Sequence, residues 1–181
     1  MDQQFRAALA ALNGTEPTRQ SAANLWLNDF QHTPEAWGAA LALLDPASGA
    51  SADEAFFAAN LLTSKTRREW GRLNAQQRSE LAEAFSSKLH SLLLSGPPSA
   101  AAAVPPHLSD RLVLLAATAA VLGGTAAAGR HLGRAQEVAA AGRAALTAPG
   151  ASPGDMAGGA VLLRCSLLML QHLAEEADEL D

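Results

Sequence analysis

The sequence predicts an all-helical protein of about eight helices, joined in pairs by short turns, and three observations predict it. Ala and Leu occupy 71 of the 181 positions, with 42 Ala and 29 Leu, while Val occurs five times and Ile and Tyr never. Good helix formers therefore dominate and strand formers are nearly absent. Apolar residues recur at three- and four-residue spacing, the period of a helix. Pro, Gly and capping residues break the pattern at regular intervals.

Taken in order, Gly14 closes the first segment, and Thr15-Glu16-Pro17 opens a second that runs to Gln31. Thr33-Pro34-Glu35 opens a third, with Thr33 as cap and Pro34 in the first turn, where no N–H is needed; Asp45-Pro46 ends it. Ser51 and Glu54 have capping-box spacing, and Asn74 with Gln77 repeats the device before a helix of about five turns. Residues 95–106 read as a Gly/Pro/Ala/Ser linker and residues 148–155 as a shorter one ending in a helix start. The expected core stripes are Trp26/Phe30, Trp37/Leu41/Leu44, Phe57/Leu61, Leu81/Phe85/Leu89, Leu108/Leu112/Leu115/Leu122 and Leu163/Leu167/Leu170. Residues 123–146 are helical in their second half but poor in large side chains, so they are expected to pack loosely.

Four pairs in 181 residues is roughly 45 residues per pair, within the period of HEAT and armadillo arrays. The predicted fold is thus a HEAT-like α-α superhelix, an open solenoid of about four antiparallel pairs. A closed bundle has the same periodicity. The acidic end, Glu175 to Asp181, carries no stop signal and reads as a tail or as the cut edge of a longer array.

The net charge of −5 and pI near 5.5 argue against a dedicated nucleic-acid binder. The single Cys165 excludes an internal disulfide and suits a reducing compartment. The N-terminus has no apolar signal core, and the longest apolar stretch, residues 112–122, falls short of the ~20 residues that span a bilayer. The expectation is a soluble, intracellular protein without a membrane partner.

Chemistry is sparse. The His residues at 32, 90, 107, 131 and 172 have no helical ligand spacing, so neither a metal site nor a cofactor is expected. Gly124 to His131 has phosphate-loop spacing, but Arg130 and His131 replace the Lys and hydroxyl, and no strand precedes it. It reads as a turn between helices. Cys165 among Leu162, Leu163, Leu167 and Leu168 reads as an inert core thiol. Lys65, Arg67, Arg68, Arg72 and Arg78 form a basic run, read as a solvated helix end or a partner-binding patch. No catalytic group stands out, so an enzyme is not expected.

Arg19-Gln-Ser-Ala-Ala-Asn-Leu-Trp26-Leu27-Asn-Asp-Phe-Gln31, then Ala36-Trp37 and Leu41 to Leu44, resembles the opening of the karyopherin-beta (importin-beta) nuclear transport receptors. The transportin-SR type is most similar. Glu54-Ala-Phe-Phe57-Ala58-Ala59-Asn60 with Lys65, followed by Trp70 and Leu73, continues the match, with Asn60 where that type has Gln. The resemblance is best over residues 19–73. It is looser over Leu108 to Leu122 and Leu162 to Glu176, where Ala174 replaces a Pro, and residues 95–106 and 123–160 depart most.

The resemblance implies the N-terminal HEAT-repeat region, spanning residues 1–181, of a longer receptor that shuttles between nucleus and cytoplasm. It implies binding of the small GTPase Ran in its GTP form, with protein cargo and nuclear pore proteins engaged through the full-length receptor. The Ran-facing elements would be the second helices of the pairs, about 15–31, 51–68, 107–122 and 157–173. The residues themselves show polar stripes, Gln20/Asn24/Asn28/Gln31 on another face than Trp26/Phe30, and Asp53/Asn60/Ser64/Arg67. Asn28, Asn60, Ser64, Lys65 and Arg67 are the candidate Ran contacts. The alternative is a helical-repeat scaffold that binds another protein and not Ran.

Overall fold

The computed structural model describes residues 2–178, and among them every regular element is a helix and no strand occurs. The order is α1 (Asp2–Leu12), α2 (Pro17–Phe30), α3 (Glu35–Leu43), α4 (Ala52–Glu69), α5 (Ala75–Leu94), α6 (Pro98–Ala102), α7 (Pro106–Leu122), α8 (Thr125–Thr147) and α9 (Pro153–Asp178). Short 3-10 turns at Pro46–Ser48 and Trp70–Arg72 follow α3 and α4. The chain forms two compact units that divide after Lys65, within α4.

The helix starts follow local chemistry. Glu54 N–H donates to Ser51 Oγ at 3.2 Å and Ser51 N–H to Glu54 Oε2 at 2.8 Å, closing the box ahead of α4. Asn74 and Gln77 do the same for α5, at 2.9 and 3.0 Å. Thr33 does not cap α3: its hydroxyl donates back to the Phe30 carbonyl at 2.9 Å and closes α2 instead.

The first unit is built on Phe5, Leu9, Leu27, Phe30, Leu43, Leu44, Leu61 and Leu62, all buried. Phe5 of α1 meets Phe30 at 5.1 Å and Phe57 at 6.1 Å between ring centroids. Trp26 is only half-buried and stacks on Phe30 at 4.7 Å, so it shields the core rather than filling it. In α3 the buried side is Ala36, Ala39, Ala40 and Leu43, one step round from the expected Trp37/Leu41 stripe. Small side chains let that helix sit close, and the bulky Trp37 is left half-buried at its edge.

In the second unit α5 packs on α7 and α8, α7 also packs on α8, and α9 packs on α6, α7 and α8. Of the expected stripes, Phe85 and Leu89 and Leu108, Leu112 and Leu115 are buried, while Leu81 and Leu122 are half-buried. Gly124, at φ 82°, turns α7 into α8, but Thr125 to His131 already belong to α8, so the stretch expected to be a turn is a turn only at its first residue and helix thereafter.

Two expectations are corrected here. Residues 125–147 form one continuous helix that packs tightly: a Cβ added at Gly142 would stand 2.9 Å from the Gly159 carbonyl oxygen, and one at Gly159 equally close to that of Gly142. Residues without side chains let the two backbones touch, so poverty in large residues gives close approach, not looseness. Within the expected linker, Pro98–Ala102 forms a helical turn packed on α9.

Helix α9 has a mean hydropathy of 1.3 over its most apolar 18-residue window and is, by length and composition only, long and apolar enough to cross a bilayer. Its buried side is Leu162, Cys165, Ser166 and Met169, while Leu167 and Leu170 of the expected stripe are 66% and 41% exposed. Cys165 is buried, and burial raises its thiol pKa, as suits an inert core group.

His131 of α8 is 1% exposed. Burial, reinforced by the Arg134 charge, lowers its pKa from 6.5 to about 4, with the Met169 carbonyl opposing weakly. The folded state thus binds this proton less readily than the unfolded state. The stabilisation is complete above about pH 6.5 and is lost as pH falls towards 4. Urea midpoints measured across that window are expected to fall for the native chain and to stay flatter for His131→Leu. Equal slopes would show that His131 does not titrate differently on folding.

Candidate functional site

An open groove of about 190 Å³ lies in the first unit between α2 and α4. The four-residue spacing of a helix places Asn24 and Asn28 of α2 on one wall, with Gln31 one turn on, and Asn60 and Ser64 of α4 on the other. Leu27, Phe57 and Leu61 form the floor. Asn24, Asn28 and Ser64 are exposed, and Gln31 and Asn60 half-buried. The Gln31 side-chain amide reaches Asn28 Oδ1 at 3.5 Å, the edge of hydrogen-bond range.

None of these lining residues carries a charge. They offer amide N–H and C=O groups and one hydroxyl over an apolar base, and Ser64 has no base among them. Such a surface recognises through hydrogen bonds and contact. It has no acid, base or activated nucleophile of its own. Among the described residues no group of three or more His, Cys, Asp or Glu could hold a metal ion.

Of the five candidate contacts, the fold gathers Asn28, Asn60 and Ser64 into the groove. Lys65 is not a surface group but is wholly buried. Its ammonium donates to the Gln31 carbonyl at 3.0 Å and sits 5.4 Å from the centroid of the Trp37 ring. It therefore ties the C-terminal end of α2 to α3, where the helix dipole favours a cation. Arg67 lies in the second unit and is ion-paired with Glu176 of α9.

Of the basic run, Arg68 and Arg72 are exposed, and the other three are engaged within the fold. Lys65 is buried, Arg67 is paired, and Arg78 folds back to donate to the carbonyls of Leu73 and Gly71 at 2.9 and 3.1 Å. Gln20, part of the polar stripe on α2, is also structural: its amide donates to the carbonyls of Leu12 and Gly14, closing α1. Asn24 and Gln31 belong to the groove and were legible as members of that stripe. Its floor was not legible, because Leu27, Phe57 and Leu61 read only as core.

No family model, curated protein or solved structure matches this chain.

Proposed function

We propose that this chain is the Ran-GTP-binding, N-terminal part of an importin-type nuclear transport receptor. In this reading its helices stack as an open HEAT-like solenoid of about four antiparallel pairs. The observation that carries the reading is the groove, where α2 and α4, the second helices of the first two pairs, present Asn28, Asn60 and Ser64 together. It is supported by the likeness of residues 19–73 to the karyopherin-beta opening, and by the layering of α5 on α8 and α7 on α9, which is how stacked helix pairs pack. Cargo and nuclear pore proteins would be engaged by the rest of the receptor as it shuttles between nucleus and cytoplasm.

A second reading, a scaffold that binds a different protein, is favoured by one feature: the groove has no cation to meet an acidic partner. Titration of the chain with Ran in each nucleotide state separates the two. Preference for the GTP form is expected. Asn60→Ala is expected to weaken that binding roughly tenfold, since an interfacial polar group left unpaired costs about 1–3 kcal/mol. Binding through an uncharged groove is expected to change little between low and moderate salt. Equal affinity for the two states, or none, would reject the transport reading and leave the scaffold.

A further inference from the structure

In the second unit a small, partly open chamber lies between α5, α7 and α8, remote in sequence from the groove residues. It gathers Ser86 Oγ, the ring nitrogens of His131 and Nη1 of Arg134, all out of reach of solvent and none in good hydrogen-bond geometry with a protein partner, the Met169 carbonyl being the one backbone group that acts on the His131 ring. Ser86 is 6% exposed and His131 1%. Ala82, Ala120 and Ala127, which also line the chamber, supply no polar atom from their side chains, and its remaining two residues, Glu83 and Arg130, are half-exposed and paired with each other at 3.5 Å. Buried polar groups of this kind are nearly always satisfied, because an orphaned one costs about 1–3 kcal/mol.

The space is small and its chemistry narrow. The volume open to the centre of a water-sized sphere is about 10 Å³, and one ordered water needs roughly 10–15 Å³ by that measure. A larger anion does not fit, and the Arg134 charge that would hold one is already paired with Glu83. A cation is repelled by Arg134. The polar atoms offer an N–H donor from Arg134, a hydroxyl that both donates and accepts, and an imidazole that, when neutral, has one donor and one acceptor nitrogen. Three partners on two helices is the usual valence of a buried water.

We propose that this chamber is a binding site for one ordered water, which accepts from Arg134 Nη1 and bridges Ser86 Oγ to a ring nitrogen of His131, tying α5 to α8. The bridge satisfies groups that neither helix satisfies alone.

A crystal structure at a resolution that shows ordered water tests this directly. One peak is expected within about 2.7–3.2 Å of Ser86 Oγ and of one His131 nitrogen. An empty chamber, direct pairing of Ser86 with His131, or a peak refining as an ion would overturn it. In solution, Ser86→Ala is expected to lower the urea midpoint, and its effect is expected to be non-additive with that of His131→Leu, because both partners hold the same water. A raised midpoint for Ser86→Ala, as when an orphaned hydroxyl is removed from a dry cavity, would also overturn it, as would strict additivity.

Discussion

Lys65→Ala is expected to destabilise the folded protein by about 3–5 kcal/mol. The substitution removes three things at once. A hydrogen bond from a charged donor, here to the Gln31 carbonyl, is worth about 1.5–3 kcal/mol. A desolvated cation over an aromatic face, here Trp37, adds up to about 2 kcal/mol. The buried methylene stem leaves a cavity whose cost resembles that of Met→Ala, about 2–5 kcal/mol. Returning no ammonium to a dry site offsets part of the sum. Lys65→Met keeps the stem and is expected to lose only about 1–2 kcal/mol, the polar part. Urea unfolding of the two variants checks this. A loss below about 1 kcal/mol for Lys65→Ala would put the ammonium in solvent and restore it as a contact residue. Comparison with Asn60→Ala separates roles at the groove: Asn60→Ala is expected to change binding with little change in stability, and Lys65→Ala the reverse.

Gly158→Ala is expected to cost at least about 3 kcal/mol, above the usual range for an overpacked site. An added Cβ would lie 1.7 Å from the Pro98 carbonyl oxygen and 2.2 Å from its carbon. These are main-chain atoms of α6, which cannot swing aside as the tip of a long side chain can. Either α6 lifts off α9 or the helix shifts, and both expose apolar surface. Gly129→Ala is the control. Gly129 is an exposed residue inside α8 with nothing within 4 Å of the added Cβ, so the gain in helix propensity is expected to stabilise by about 0.5–1 kcal/mol. For a chain of this size, thermal unfolding is expected to shift down by roughly 6–12 °C for Gly158→Ala and up by about 1–4 °C for Gly129→Ala. A Gly158→Ala protein with an unchanged midpoint would mean that α6 does not pack on α9 as described.

The misreadings of the sequence share one cause. Helical period marks which residues can share a face, not which face meets a neighbour. In α9, Leu162, Leu163, Leu167, Leu168, Met169 and Leu170 satisfy more than one three-four pattern, and only the positions of α6, α7 and α8 choose Leu162 and Met169 for burial. In α3 the small residues turn inward because closeness to neighbours outweighs the bulk of Trp37. Lys65 is the sharpest case. A lysine in a basic run reads as solvated, since full burial of that residue type is rare without a partner. Its partners are a main-chain carbonyl thirty-four residues earlier and a ring on another helix, and sequence spacing shows neither.

What the sequence determined by itself was local. Helix content followed from Ala and Leu, and the starts of α4 and α5 followed from Ser51/Glu54 and Asn74/Gln77, because a capping box closes within four residues. The polar wall of α2, with Asn24 and Asn28 one turn apart, was legible for the same reason. Only the tertiary structure decided the rest: that Asn60 and Ser64 face that wall across a floor of Leu27, Phe57 and Leu61, that Arg67 turns to Glu176, and that Gly142, Gly158 and Gly159 are points of backbone contact. Each of those depends on the approach of segments distant in sequence, which packing sets and no short-range pattern encodes.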